Sequence, residues 1–223
     1  MSGASAGWQL FEPSATGYEA WYATPRGRRA DAAERALLEY LLGSFAGSRR
    51  ALEVGCGTGH FTRWLAGQLP CVVGLDRAPA MLAEARRTSP HLLVIRGDAQ
   101  RLPIRSRGVD LGVFVTTLEF VDSPAVAVAE AVRVARQGVL LVVLNRWSVG
   151  GWSRRWGADA RRPLLGRARD FTLPSLRTLA LTAAGCRLRG LRWAAALFPG
   201  ARADALARVP FGDIVGLAME LTP

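Results

Sequence analysis

The sequence predicts an α/β domain, a mostly parallel sheet with helices on both faces and a terminal β-hairpin. Three observations predict it. Short apolar or β-branched runs alternate with longer helical patterns, as they do when strands are joined by crossover helices. Glycines at alternate positions, Gly55, Gly57 and Gly59, separate the first apolar run from the first helical pattern. The 223 residues suffice for one such domain with decorations and would cramp two. The expected division is an N-terminal helical cap over residues 1–50 and a core domain over residues 51–223, with an insertion at about residues 146–171.

Upstream of the glycines, Ala32 to Leu42 carries an apolar stripe at helical spacing and is expected to pack on the sheet or over a pocket. Ala51 to Val54 is the first strand, Cys71 to Asp76 the second, His91 to Arg96 the third and Val109 to Val115 the fourth. A helix from Ala78 to Arg87 has Pro79 in its first turn, where a missing N–H costs little. Pro124 opens the next helix behind a cap from Asp122 or Ser123, and that helix is expected to end at Arg136-Gln137-Gly138. Gly138 to Asn145 is continuously apolar, as a central buried strand should be. From Arg146 to Phe171 the pattern breaks down into Trp, Arg and Gly. A helix from about Pro174 to Ala184 then closes at Gly185, followed by strands from Cys186 to Trp193 and Val215 to Leu221.

The net charge is +11, and every basic side chain is arginine. The arginines are spread along the chain, so the charge is weak support for nucleic-acid binding. Three cysteines, far apart and odd in number, fit neither a disulfide framework nor a zinc ribbon and read as buried free thiols, so no metal site is expected. No apolar run reaches the ~18 residues that span a bilayer, and the first residues lack the basic-then-apolar pattern of a secretory leader. A cytoplasmic protein is the expectation.

The spacing of the glycines narrows the ligand. A dinucleotide fingerprint, G-x-G-x-x-G, would place its third glycine at position 60, where this chain has His60. With Glu53 ahead of it, E-x-G-x-G-x-G resembles the first motif of the class I S-adenosylmethionine-dependent methyltransferases. Gly97-Asp98-Ala99, Leu102-Pro103 and the segment Tyr18 to Arg28, with its Y-x-x-W-Y pattern, are similar to further stretches of that family. Arg136-Gln137-Gly138 resembles the family's R-P-G-G turn without its proline and one glycine. The resemblance runs from about Tyr18 to the C-terminus and is strongest over Leu52 to Val143. It implies a Rossmann-like sheet of seven strands and S-adenosylmethionine as cofactor.

The cofactor-binding set it implies is Tyr22, Glu53, Gly55, Cys56, Gly57, Gly59, Asp76, Arg77, Asp98, Ala99 and Thr116. Asp76 ends the second strand and can accept from both ribose hydroxyls; its alternative is to cap the following helix. Asp98 would face the adenine amino group, or merely form a surface turn. Glu53 orders water or the cofactor's amino group, or caps the helix after the glycines. The acceptor side is assigned to Tyr18, Trp21, Arg26, Trp147, Trp152 and Arg155. Trp147, Trp152 and Trp156, interleaved with Arg146, Arg154, Arg155, Arg161 and Arg162, would form a lid with aromatic walls and anion clamps, favouring an anionic acceptor; a solvated basic loop is the alternative. Glu119 is the candidate general base. His60 occupies a variable position in the motif and His91 enters a strand. The expected function is methyl transfer to a small-molecule acceptor, with an RNA methyltransferase, a non-catalytic S-adenosylmethionine-binding protein and an NAD-linked oxidoreductase as alternatives.

Overall fold

A computed structural model describes residues 7–157 and 164–222. Arg161 and Arg162, assigned above to the lid, lie outside them. The sheet has strands β1 (Arg50–Val54), β2 (Cys71–Asp76), β3 (Val94–Arg96), β4 (Val109–Val115), β5 (Ala135–Leu144), β6 (Leu188–Ala196), β7 (Leu206–Ala207) and β8 (Ile214–Leu221). Their order is β3-β2-β1-β4-β5-β8-β6-β7. The first five are parallel, and β8, β6 and β7 add antiparallel pairs. The sheet therefore has eight strands where seven were expected. The extra one, β7, pairs only Ala207 and Leu206 with Ala195 and Ala196, too short a run to show a period in the sequence.

Alternation along the central strands builds two cores. Leu111, Val113 and Val115 of β4, with Leu140 and Val142 of β5, bury against Leu37 and Leu41 of helix α1 (Pro25–Leu42) and Phe61 and Leu65 of α2 (His60–Ala66). Phe114, Val139 and Leu141 bury on the opposite face, against Val128 and Ala131 of α4 (Pro124–Val134) and Leu176 and Ala180 of α6 (Leu173–Ala184). Helix α3 (Pro79–Thr88) sets Leu82 and Ala85 against Val94 and Cys56.

Several boundaries differ from the sequence reading. Helix α1 begins at Pro25, because Thr24 accepts from Gly27 N–H at 3.0 Å and Pro25 occupies the first position; its first turn, Pro-Arg-Gly-Arg, has no apolar stripe to reveal it. Strand β3 begins at Val94, since a turn in which Leu92 N–H donates to Ser89 O delays pairing with Gly74. Neither Asp122 nor Ser123 caps α4 through its side chain; the Ser123 N–H donates to Gln100 Oε1. Arg136-Gln137-Gly138 lies inside β5, which starts directly after α4. Inside the insertion, Ser148 caps a helix, α5 (Val149–Trp156), by accepting from Gly151 N–H. Cys56 is buried as expected, whereas Cys71 and Cys186 are exposed; all three are free thiols. No described helix is long and apolar enough to cross a membrane.

Candidate active site

The strand order reverses between β1 and β4, and a ligand crevice in an open α/β sheet lies at the carboxyl ends there. A partly covered pocket occupies that place. It runs across four strand ends: Gly97, Asp98 and Ala99 after β3, Asp76 and Arg77 at β2, Glu53 and Gly55 to Thr58 at β1, and Val115 to Thr117 at β4. Its roof is the N-terminal segment, two 3-10 helices over Gly7–Leu10 and Glu12–Ala23, which contribute Trp8, Phe11, Tyr18 and Tyr22.

The glycine turn has the expected backbone. Gly55, at φ +77°, lies so close to Thr117 that a Cβ would stand 2.1 Å from the threonine Cγ2. Gly57, at φ +54°, has open space where its Cβ would be, and it faces the pocket. Thr116 adopts φ +45°, a left-handed conformation unusual for a threonine, and its N–H donates to Val142 O at 2.8 Å. Gly59 does not line the pocket; it packs on Leu92.

Asp76 makes the bond toward the following helix that was one of its two readings, and it also holds the glycine turn. Its Oδ2 accepts from Gly57 N–H at 2.8 Å, tying β2 to the glycine turn, and its Oδ1 accepts from Ala78 N–H at 2.8 Å at the start of α3. Burial raises its pKa, opposed by these backbone bonds. Asp98 likewise makes a turn, accepting from Gln100 N–H at 2.9 Å, and pairs with Arg77 at 3.2 Å. Arg77 also sits 5.5 Å from the Trp8 ring centroid, which joins the roof to the floor.

Glu53 is fully enclosed. Thr62 of α2 donates its hydroxyl to Oε2, so the carboxylate holds a side chain and not the backbone start of α2. Burial pushes its pKa up to about 8, and the Thr62 bond opposes the rise. Cys56 lines the pocket with its thiol pushed well up by burial.

On the acceptor side the structure divides the expected residues. Tyr18 and Tyr22 line the pocket, and burial raises both hydroxyl pKa values. Trp21 and Arg26 do not line it. Trp147 and Trp152 line a separate open groove with Val149, Phe198, Pro199 and Phe211, and Arg155 lies 5.3 Å from the Trp156 ring centroid. Arg154 is buried, donating to Asp170 at 2.6 Å and to Asn145 O at 2.8 Å; it is an anchor for α5, not an anion clamp. Glu119 is also outside the lining. Its Oε1 accepts from Leu144 N–H at 2.6 Å, and burial pushes its pKa up to about 7.

Sequence reasoning missed part of the roof and one floor aromatic. Trp8, Phe11 and Phe120 form it, with Phe11 edge-on to Phe120 at 4.9 Å between centroids. The signal was the aromatic content of residues 8–22, but the long-range partner Phe120 had none. His60, at a variable position of the motif, also lines the pocket, stacked on Tyr22.

The pocket fits an adenosine-containing ligand on its own features. Gly57 leaves room for a ligand against the main chain, Asp76 keeps unused lone pairs beside it, and two buried polar atoms of the lining, Thr58 Oγ1 and Trp8 Nε1, have no partner among the described residues.

Comparisons with known proteins agree. A family model for a methyltransferase domain matches residues 52–143. An uncharacterized methyltransferase of Mycobacterium tuberculosis is 35% identical over 114 residues, covering 50% of this chain and 46% of that protein. The malonyl-[acyl-carrier protein] O-methyltransferase of Pectobacterium atrosepticum is 31% identical over 109 residues, 48% of this chain and 43% of its own. The chain thus spans under half the length of these relatives. Among solved structures, an S-adenosylmethionine-dependent methyltransferase from Thermotoga maritima superposes with a TM-score of 0.76 at 23% identity, covering 96% of this chain and 99% of that one. The magnesium protoporphyrin IX methyltransferase of Synechocystis, solved with bound S-adenosylmethionine, gives 0.66 at 10% identity and covers 100% of both chains. The fold is that of the S-adenosylmethionine-dependent methyltransferases, and residues 52–143 are similar to the methyltransferase-domain family.

Proposed function

We propose that this chain binds S-adenosylmethionine in the pocket across β3, β2, β1 and β4 and transfers its methyl group to a small-molecule acceptor. The observation that carries the reading is the bond from Gly57 N–H to Asp76 Oδ2, 2.8 Å, at the reversal of strand order. It fixes a glycine turn and a carboxylate on one side of the crevice, the pairing that a nucleoside needs. The cofactor, when bound, supplies an electrophilic methyl carbon on a sulfonium, and the protein's share is alignment and exclusion of water.

The residues divide that work. A carboxylate has about four lone-pair sites, and two backbone N–H groups occupy only part of those on Asp76, leaving acceptors for ribose hydroxyls. Asp98, held by Arg77, offers an acceptor for the adenine amino group. Glu53, anchored through Thr62, offers its other oxygen to the methionine amino group. Trp8, Phe11, Tyr18 and Tyr22 cover the pocket and keep water out. An aromatic segment that roofs the pocket in part supports a small acceptor over a polymer.

Calorimetric titration with S-adenosylmethionine, S-adenosylhomocysteine and NAD tests the reading. Saturable binding of the first two and none of NAD is expected. NAD binding without either sulfur ligand overturns it.

A further inference from the structure

We propose that His60, held by Asp31, takes a proton from the methyl acceptor, and that this acceptor is an amine arriving as its ammonium ion; the inference rests on the methyl-transfer reading above. His60 opens α2 and its ring lines the pocket. Its Nε2 lies 2.7 Å from Asp31 Oδ1, a distance that places the proton on Nε2. Nδ1 makes no hydrogen bond to any described residue, so its lone pair is free.

The ring is held on several sides. Tyr22 stacks on it at 3.7 Å between centroids with 1° between planes, and Phe61 meets it edge-on at 4.9 Å. Arg35 donates its Nε–H to the same Asp31 oxygen at 2.8 Å and sits 3.3 Å from Nε2, so the carboxylate that orients the ring is itself fixed from α1. Burial lowers the pKa of His60 more than Asp31 raises it, which keeps the imidazole neutral and able to accept a proton at neutral pH.

The charges around this end of the pocket select the acceptor. Asp31, Arg35 and Glu34 face it from α1, Glu19 from the roof segment, Glu53 from β1 and Arg63 from α2. Both arginines are already engaged, Arg35 with Asp31 and Arg63 with Glu19. Glu34, buried near Tyr18 and Tyr22, keeps one oxygen without a partner among the described residues; burial holds it and Glu53 protonated at neutral pH, and a nearby cation would favour their ionisation. The two ion pairs leave neither arginine for a carboxylate or phosphate, whereas an ammonium meets carboxyls that its own charge helps to ionise. The Trp–Arg insertion, which suggested an anionic acceptor, places Trp147 and Trp152 on another groove.

The proton balance is simple. One N–H proton of the ammonium passes to His60 Nδ1, and the nitrogen keeps the electron pair as its lone pair. The imidazolium so formed carries N–H on both nitrogens, its charge stabilised by Asp31, and it returns the proton to solvent after the product leaves.

The chain has two histidines, so 15N NMR of the imidazoles reads His60 directly once His91→Gln assigns the other ring. In complex with S-adenosylhomocysteine, His60 should be neutral at pH 7 with Nε2 protonated, and Asp31→Asn should lower its titration midpoint. A charged ring, or the proton on Nδ1, overturns the proposal. A parallel screen supplies S-adenosylmethionine with primary amines, phenols and carboxylic acids and reads S-adenosylhomocysteine release. Turnover is expected among the amines, with His60→Gln lowering kcat/KM by about 100-fold or more while its S-adenosylhomocysteine Kd stays within twofold. In Asp31→Asn the rising limb of the pH profile should move to lower pH. Turnover only among phenols or acids, no turnover of any amine, or full activity in His60→Gln overturns it. Failure of the wild-type chain to bind S-adenosylhomocysteine would instead remove the methyl-transfer reading itself.

Discussion

The carboxylate of Asp76 bridges two backbone N–H groups on different elements, Gly57 in the glycine turn and Ala78 at the start of α3, at 2.8 Å each. One side chain therefore sets both the shape of the ligand turn and the start of a helix. The two roles are separable by experiment because they read out in different quantities.

Asp76→Ala should weaken S-adenosylhomocysteine binding by about 1–3 kcal/mol, through lost acceptors for the ribose and a loosened turn. It should also lower stability by about 1 kcal/mol through the uncapped Ala78 N–H. Calorimetry and urea unfolding on the same preparation measure the two. A mutant that loses stability but binds normally would reduce Asp76 to a helix cap.

Gly55→Ala should destabilise the fold by about 2–4 kcal/mol, since the new methyl meets Thr117 and the residue keeps a positive φ. Adding Thr117→Ala should recover part of the loss and leave the backbone strain. Gly57→Ala, which meets nothing in the protein, should cost less stability and more ligand affinity.

Stability should fall as pH rises through neutrality. Burial raises Glu34 and Glu53 to about 8 from an unfolded value near 4.5, so between those limits the folded chain binds more protons than the unfolded one. Stability from the protonated carboxyls is complete below about pH 4.5 and is lost as pH climbs to 8. Glu34→Gln should be about 2–4 kcal/mol more stable than wild type at pH 8, with the gap closing toward pH 5. Urea unfolding across that range checks it; an unchanging gap would mean that Glu34 does not titrate there.

Arg154→Ala should cost about 3 kcal/mol, because it strands Asp170 and the carbonyl of Asn145. Cofactor affinity should stay within twofold, since neither residue reaches the pocket. Thermal unfolding and calorimetry decide it together.

Trp152→Ala with Arg155→Ala should leave S-adenosylhomocysteine affinity unchanged and shift stability by about 0.5 kcal/mol or less, as Trp152 is 65% exposed on the second groove. A loss of affinity would show that the insertion reaches the pocket in solution.

Much of this protein is legible from the sequence for local reasons. Gly55, Gly57 and Gly59 at positive φ, the capping Thr24 and Pro25, and the apolar runs of β4 and β5 each encode their structure within a few residues. The lining residues at the ends of β1 to β4 could be read for the same reason, since they follow their strands at short fixed offsets. Strand β7 and helix α5 were missed because two paired residues have no period and a run of Trp, Arg and Gly has no ordinary one.

The sequence by itself determined the parallel sheet, the glycine turn and the carboxylates beside it, because period and turn chemistry act between near neighbours. Only the tertiary structure decided which distant side chains share a space. It put Trp8 and Phe11 over the floor, set Asp31 against His60 across 29 residues, turned Glu119 away from the pocket and sent Trp147 and Trp152 to another groove. The first two choices follow from the packing of α1 on the sheet and of the N-terminal segment against Ala78 and Met81, where burial of apolar area acts without regard to distance along the chain.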